Sequence, residues 1–185
     1  MTVWFTSDTH YGHSNVIEYS HRPFKDVEEM NEALVTNWNA VVKPGDRVYH
    51  LGDFCLGPRE LAIKTVKRLN GQKYLVFGNH DKRLRKDVEF LGHWVWTRDL
   101  EQVEVDGQKL ILCHYAMLTW NQFHRGSWQL HGHSHGSLAD DPHSLRLDVG
   151  VDCHDMYPVS FEAVRDIMAK KDFRPVDHHG RERGE

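Results

Sequence analysis

The sequence predicts an α/β fold with substantial antiparallel content, and three observations carry that prediction. Short apolar runs recur along the chain, each ending in aspartate, asparagine or histidine. Stretches with apolar residues at helical spacing lie between them. An Asp106-Gly107 pair joins two strand-like segments and is a strong type I′ hairpin signal. The chain has 185 residues, 39% hydrophobic and 27% charged, the proportions of a soluble globular protein. No repeat, low-complexity stretch or linker divides it, so one domain over residues 1–185 is expected. Only the polar end, about 175–185, reads as a flexible tail.

The runs are rich in Val, Leu, Ile and aromatics, as buried strands are. Val3–Thr6 (VWFT) leads into SDTH, Arg47–Leu51 (RVYHL) into GD, and Tyr74–Phe77 (YLVF) into GNHD. Lys109–Cys113 (KLILC) leads into HY and Ser127–Leu130 (SWQL) into HGHSH, with a further strand expected through Leu145–Val151. Between Asp26 and Val42, the residues Val27, Met30, Leu34, Trp38 and Val41 form one apolar stripe behind an Asp26 cap. Pro58–Leu69 reads as a second helix. Ser160–Lys170 reads as a third, capped by Ser160, with basic residues at its C-terminal end where the helix dipole favours them.

Several function classes are excluded. No apolar run approaches the roughly 18–20 residues of a membrane span, and the N-terminus enters directly into a strand-like run, so a cytoplasmic protein is expected. Cys55, Cys113 and Cys153 are odd in number and lack CxxC spacing. Buried reduced thiols are therefore expected, not a disulfide framework or a cysteine zinc site. A net charge of −4 argues against a protein that coats nucleic acid, while leaving room for a local basic patch.

Ligands of α/β proteins bind beyond the carboxyl ends of strands. Here those ends deliver Asp8, His10, Asp53, Asn79, His80, His114, His133 and His135. This oxygen-and-nitrogen set suits Mn²⁺, Fe, Zn²⁺ or Mg²⁺, and it is too large for one ion. Two ions about 3.5–4 Å apart, sharing a carboxylate, would use it.

The ordered blocks Asp8-Thr9-His10, Gly52-Asp53, Gly78-Asn79-His80-Asp81, His114 and Gly132-His133-Ser134-His135 resemble the signature of the calcineurin-like metallophosphoesterase superfamily. The resemblance covers roughly residues 6–135. It implies a four-layer α/β/β/α sandwich of two mixed β-sheets with helices outside, and two divalent metal ions at the sheet edge. Manganese is the first expectation, with Fe, Zn, Ni or Mg as alternatives. It further implies that Asp8, His10, Asp53 and His135 hold one ion, that Asp53, Asn79, His114 and His133 hold the other, and that Asp53 bridges. A metal-activated water then attacks phosphorus in line, and His80 stabilises the phosphoryl group or protonates the leaving oxygen.

Family members often place an arginine four residues after the bridging aspartate to hold phosphate; here that position is Gly57. Arg59 or Arg22 is a candidate for the role, or it is vacant. Tyr11 and His13, just past the first ligand pair, are expected at the substrate rim. Asp81 orients His80 or serves as a loop carboxylate. His131 is expected in a strand or behind the ligands, His50 in a strand facing the second layer, and Trp120 and Trp128 in packing more than in base stacking. His154, His178 and His179 are assigned no site role, although the DCHD setting keeps His154 open. The basic run Lys82–Lys86 is a solvated face or an attractor of anionic substrate.

The expected substrate is a small phosphoester, with a diester such as a nucleotide, cyclic nucleotide or short oligonucleotide end favoured over a monoester. A non-catalytic protein-binding scaffold and an amide or ester hydrolase are the alternatives. The filled ligand positions oppose the first, and the order of the blocks opposes the second.

Overall fold

The structure, a computed structural model, describes residues 1–176. From residue 177 onward the expected tail, with His178 and His179, lies outside the described residues. The chain opens with β1 (Val3–Thr6), crosses through α1 (Asn15–Tyr19) and α2 (Val27–Val41) to β2 (Arg47–His50), and through α3 (Arg59–Arg68) to β3 (Gln72–Val76). Helix α4 (Val88–Leu91) and strand β4 (Thr97–Arg98) precede the hairpin of β5 (Leu100–Val105) and β6 (Gln108–Cys113). Strands β7 (Trp128–His131), β8 (Arg146–Asp148) and β9 (Val159–Ser160) lead to helix α5 (Phe161–Met168).

These strands form two mixed sheets. The first has the order β4-β3-β2-β1-β9 and is parallel except for the antiparallel β9. The second has the order β5-β6-β7-β8, a hairpin continued by two parallel pairings. Asp106 and Gly107 take φ of 49° and 80°, the positive values a type I′ turn demands.

Side chains alternate across each strand, so the first sheet is covered on both faces. Phe5, Tyr49 and Val76 point toward the second sheet and meet Leu110, Leu112, Leu130 and Leu147. Val48 and Leu75 point the other way, onto Met30, Leu34 and Trp38 of α2 and Ala62 and Val66 of α3. The α2 stripe is thus buried as its spacing predicts. The Asp26 carboxylate accepts the Glu29 N–H at 2.8 Å, and Ser160 caps α5 through the Ala163 N–H. Phe161, Val164 and Met168 of α5 join the cluster between the sheets.

Some sequence expectations shift. Strand β7 runs one residue further, to His131, which is buried. Strand β8 is shorter than expected because the chain leaves it at Val149-Gly150, where Gly150 pairs with Ser7 of the other sheet. His50 faces the helix layer, among Trp38, Phe54 and Trp94. Trp120 and Trp128 are buried, which leaves neither as a stacking platform. All three cysteines are free, but only Cys55 is buried; Cys113 is half-buried and Cys153 exposed. Among the described residues no helix is long and apolar enough to cross a membrane.

Candidate metal centre

Strands β1, β2 and β3 are parallel, so their C-terminal ends share one edge, and the loops beyond them stay paired. The Asp8 N–H donates to Gly52 O and the His10 N–H to Asp53 O, each at 3.0 Å. From the second sheet, the Gly132 N–H donates to His114 O at 3.0 Å and the His133 N–H to Asp8 Oδ2 at 2.9 Å. That last bond ties the two sheets together at the site.

The loops turn sharply. Asp8, His10, Asp53, His133 and His135 all have positive φ, between 48° and 69°. Non-glycine residues occupy this region at a cost, and such strain gathers at functional sites. Three glycines make the turns possible. A Cβ on Gly78 would lie 2.1 Å from Asp53 Oδ1, one on Gly132 2.2 Å from Asp8 Oδ2, and one on Gly52 2.7 Å from His114 Nδ1.

Two groups of ligand-type atoms result: Asp8, His10 and His135, and Asp53, His114 and His133, the atoms in each lying within 4.8 Å of one another. Asp53 Oδ2 sits between the groups, 3.7 Å from His10 Nε2 and 3.5 Å from His114 Nε2. Asn79 Oδ1 lies 3.1 Å from His114 Nε2. Two of the histidines have their other ring nitrogen held from behind. His114 Nδ1 meets Leu51 O at 2.7 Å, and His135 Nδ1 meets Asp152 Oδ2 at 2.7 Å. Each ring therefore turns Nε2 toward a carboxylate, the arrangement that orients histidine on a metal.

Asp8 Oδ1 supplies the test of fit. It is buried and has no hydrogen-bond partner, yet His135 Nε2 and His10 Nε2 lie 3.8 and 3.9 Å away. Such an atom is costly unless a donor or cation meets it, and a divalent ion among these three residues fits. Burial pushes the Asp8 carboxyl up to about 7 and holds the His10 imidazole well below its ordinary range. Burial also opposes ionisation of Asp53, but the His114 ring, the His80 N–H and His10 outweigh it and hold the carboxyl at about 2.

His80 and His13 stand beside these groups. His80 Nε2 is 4.0 Å from Asp53 Oδ2, with its side chain 43% exposed. The His13 ring is 5.4 Å from that of His10. Both line a cleft of about 780 Å³ that also exposes His10, His133 and His135.

Three expected roles are relocated. Tyr11 is fully buried, its ring 5.2 Å from that of Phe54, so it packs in the core and does not reach the substrate rim. Arg22 is buried and doubly hydrogen-bonded to Asp152, at 2.8 Å for each bond, and it donates to the carbonyls of Asp8 and Thr9. It braces the first ligand loop and does not hold phosphate. Arg59 is exposed and ion-paired with Asp87 and Glu89, on the wall of a neighbouring cavity. Asp81 accepts the N–H groups of Gly78, Asp53 and Phe54 at 2.8–3.0 Å. It is the loop carboxylate that joins two ligand turns, not a partner of His80.

Sequence reading missed Asp152, which holds both Arg22 and His135; its DCHD setting had drawn attention to His154 instead. His154 bonds to Asp148 O. Tyr115 was missed too. It follows His114 directly and exposes its ring 4.8 Å from that of His133.

Arg22→Met is expected to destabilise the fold by about 3 kcal/mol, because it strands the buried Asp152 carboxylate. Urea unfolding measures this, and a loss below about 1 kcal/mol would contradict the bracing role.

The comparisons agree with this geometry. Residues 1–150 match the family model described as the calcineurin-like phosphoesterase superfamily domain. The chain belongs to that superfamily. The superfamily is metal-dependent, and the two residue groups above are where this chain can hold metal. The chain is 33% identical over 175 residues to the uncharacterized protein MJ1445 of Methanocaldococcus jannaschii, covering 91% of this chain and 92% of that one. It is 29% identical to the Gene 66 protein of Mycobacterium phage L5, covering 81% and 86%. Among solved structures, AQ665 of Aquifex aeolicus, a protein of unknown function, superposes with a TM-score of 0.68 at 26% identity, covering 90% of this chain and 98% of that one.

Proposed function

We propose that this chain is a dinuclear-metal phosphodiesterase acting on a small substrate of the nucleotide class in the cytoplasm. The observation that carries the reading is Asp53, whose Oδ2 lies 3.7 Å from a nitrogen of the first ligand group and 3.5 Å from one of the second. Asp8, His10, Asp53 and His135 would hold one divalent ion, and Asp53, Asn79, His114 and His133 the other, manganese being the first candidate. Two such ions supply Lewis acidity to the phosphoryl oxygens and an acidified water as nucleophile.

The chain's own residues do the rest. Asp152 and the Leu51 carbonyl fix the His135 and His114 rings, and Asp81 fixes the Asp53 turn. His80 stands exposed beside Asp53, free to donate a proton from its imidazole to the departing alcohol oxygen. His13 lines the same cleft and is placed to touch the substrate. The diester preference rests on charge. Among the described residues no lysine or arginine lines the cleft over the ligand groups, so none of them meets the second negative charge of a monoester there.

The test pairs bis(4-nitrophenyl) phosphate with 4-nitrophenyl phosphate, using metal-stripped protein and each ion added back. Metal-dependent cleavage with the diester favoured is expected, whereas a monoester preference would overturn the substrate class. His80→Ala is expected to lower kcat by about 10²–10⁴-fold while metal content is retained. Unchanged turnover at full occupancy would remove His80 from the proton transfer.

A further inference from the structure

A second cavity, of about 560 Å³, adjoins the cleft over the ligand groups. Leu56 and His80 line both, so the two spaces meet across these side chains. Their chemistry differs. The first is histidine-lined, with no lysine or arginine among the described residues. Among the described residues the second carries Lys82, Arg83 and Arg59 against a single carboxylate, Asp87.

Arg59 is already neutralised by Asp87 and Glu89. Lys82 and Arg83 are exposed and make no ion pair with any described residue. Arg85, in the same basic run, is instead paired with Asp99 over the Phe77 ring and does not line the cavity. Of the three cations of the run that make no ion pair with a described residue, Lys82, Arg83 and Lys86, the first two line the cavity beside His80. In a chain of net charge −4, this is a local attraction that solvation of a helix face does not require.

We infer that this cavity holds a second phosphate of the substrate, on the arm that leaves the scissile phosphorus. The inference rests on the phosphodiesterase reading and narrows its substrate class. A diester seated over the ligand groups, with its departing oxygen at His80, extends that departing arm past Leu56 into the basic cavity. Lys82 and Arg83 then meet a phosphate for which the cleft itself has no lysine or arginine among the described residues.

The test compares kcat/KM for dithymidylate bearing no terminal phosphate, a 5′-phosphate or a 3′-phosphate, so that either direction of cleavage is covered. Wild-type protein with its metals is set against Lys82→Met/Arg83→Met. The readout is the ratio between phosphorylated and unphosphorylated substrate, which a general loss of activity does not move. Wild type is expected to prefer one phosphorylated form by about tenfold at low salt, with the preference falling as salt screens it. The double variant is expected to lose that preference. No preference in wild type, or the same preference in the variant, overturns the inference.

Calorimetric binding of the cleavage-resistant phosphorothioate analogues reads the same ratio without turnover. Binding that is tenfold tighter with the terminal phosphate, and dependent on Lys82 and Arg83, supports the anion site even if bis(4-nitrophenyl) phosphate is not cleaved. In that case the phosphodiesterase reading alone fails.

Discussion

Asp53→Ala is expected to strip metal from both halves of the site and to slow diester hydrolysis by about a thousandfold. The effect is large because three functions meet in one side chain. Its Oδ2 lies within 4.0 Å of His10, His80 and His114, and its Oδ1 accepts the His80 N–H at 2.8 Å. Its own N–H is held by Asp81, so the backbone turn survives the substitution even when the ligand does not. Metal content by mass spectrometry and the hydrolysis rate check this together. A variant that keeps two ions and a rate within tenfold of wild type would show that Asp53 is not the shared ligand.

The second large effect is expected at a residue with no side chain. Gly132→Ala would set a methyl group 2.0 Å from Ser7 Oγ and 2.2 Å from Asp8 Oδ2. Asp8 Oδ2 is the atom that accepts the His133 N–H from the opposite sheet. The methyl group must therefore part the two ligand loops. A loss of about 1–3 kcal/mol in stability is expected from the overpacking, with metal lost from the Asp8 group. Gly45→Ala is the control: a Cβ there meets nothing within 4 Å and the backbone is not left-handed, so the change stays within about 0.5 kcal/mol. Equal melting temperatures for the two variants would refute the close approach.

The residues that gather at the candidate metal centre were legible in the sequence because each follows closely on a strand, and strands announce themselves by apolar runs. Residue type and register together place Asp8, Asp53, Asn79 and His114 on one edge before any coordinates are known. The residues behind the ligands carry no such mark. Asp152 reaches His135 across 17 residues and Arg22 across 130. A pairing of that kind is set by how the two sheets stack, which no local pattern encodes. Tyr11 shows the opposite error. Its closeness to His10 suggested the rim, but the strained turn at His10 sends the next side chain into the core. The short strands β4 and β9, with two residues each, were invisible because alternation needs more length than that to register.

The same limit explains why substrate contacts were harder to read than ligands. Arg22, Arg59 and Lys82 are all cations near the motifs in sequence. Only the packing separates a buried brace, a neutralised surface pair and a free charge beside His80.

The central claim is that the two residue groups hold two divalent ions on which diester cleavage depends. Its most direct test is a titration of metal-stripped protein with Mn²⁺, counting bound ions while following bis(4-nitrophenyl) phosphate hydrolysis and thermal stability. The account predicts two ions per chain, hydrolysis that rises with their occupancy, and a melting temperature raised by metal because the folded site binds it and the unfolded chain does not. Full hydrolysis in the stripped protein, or no ion bound at either group with Mn²⁺ or any of the other candidate metals, would contradict it.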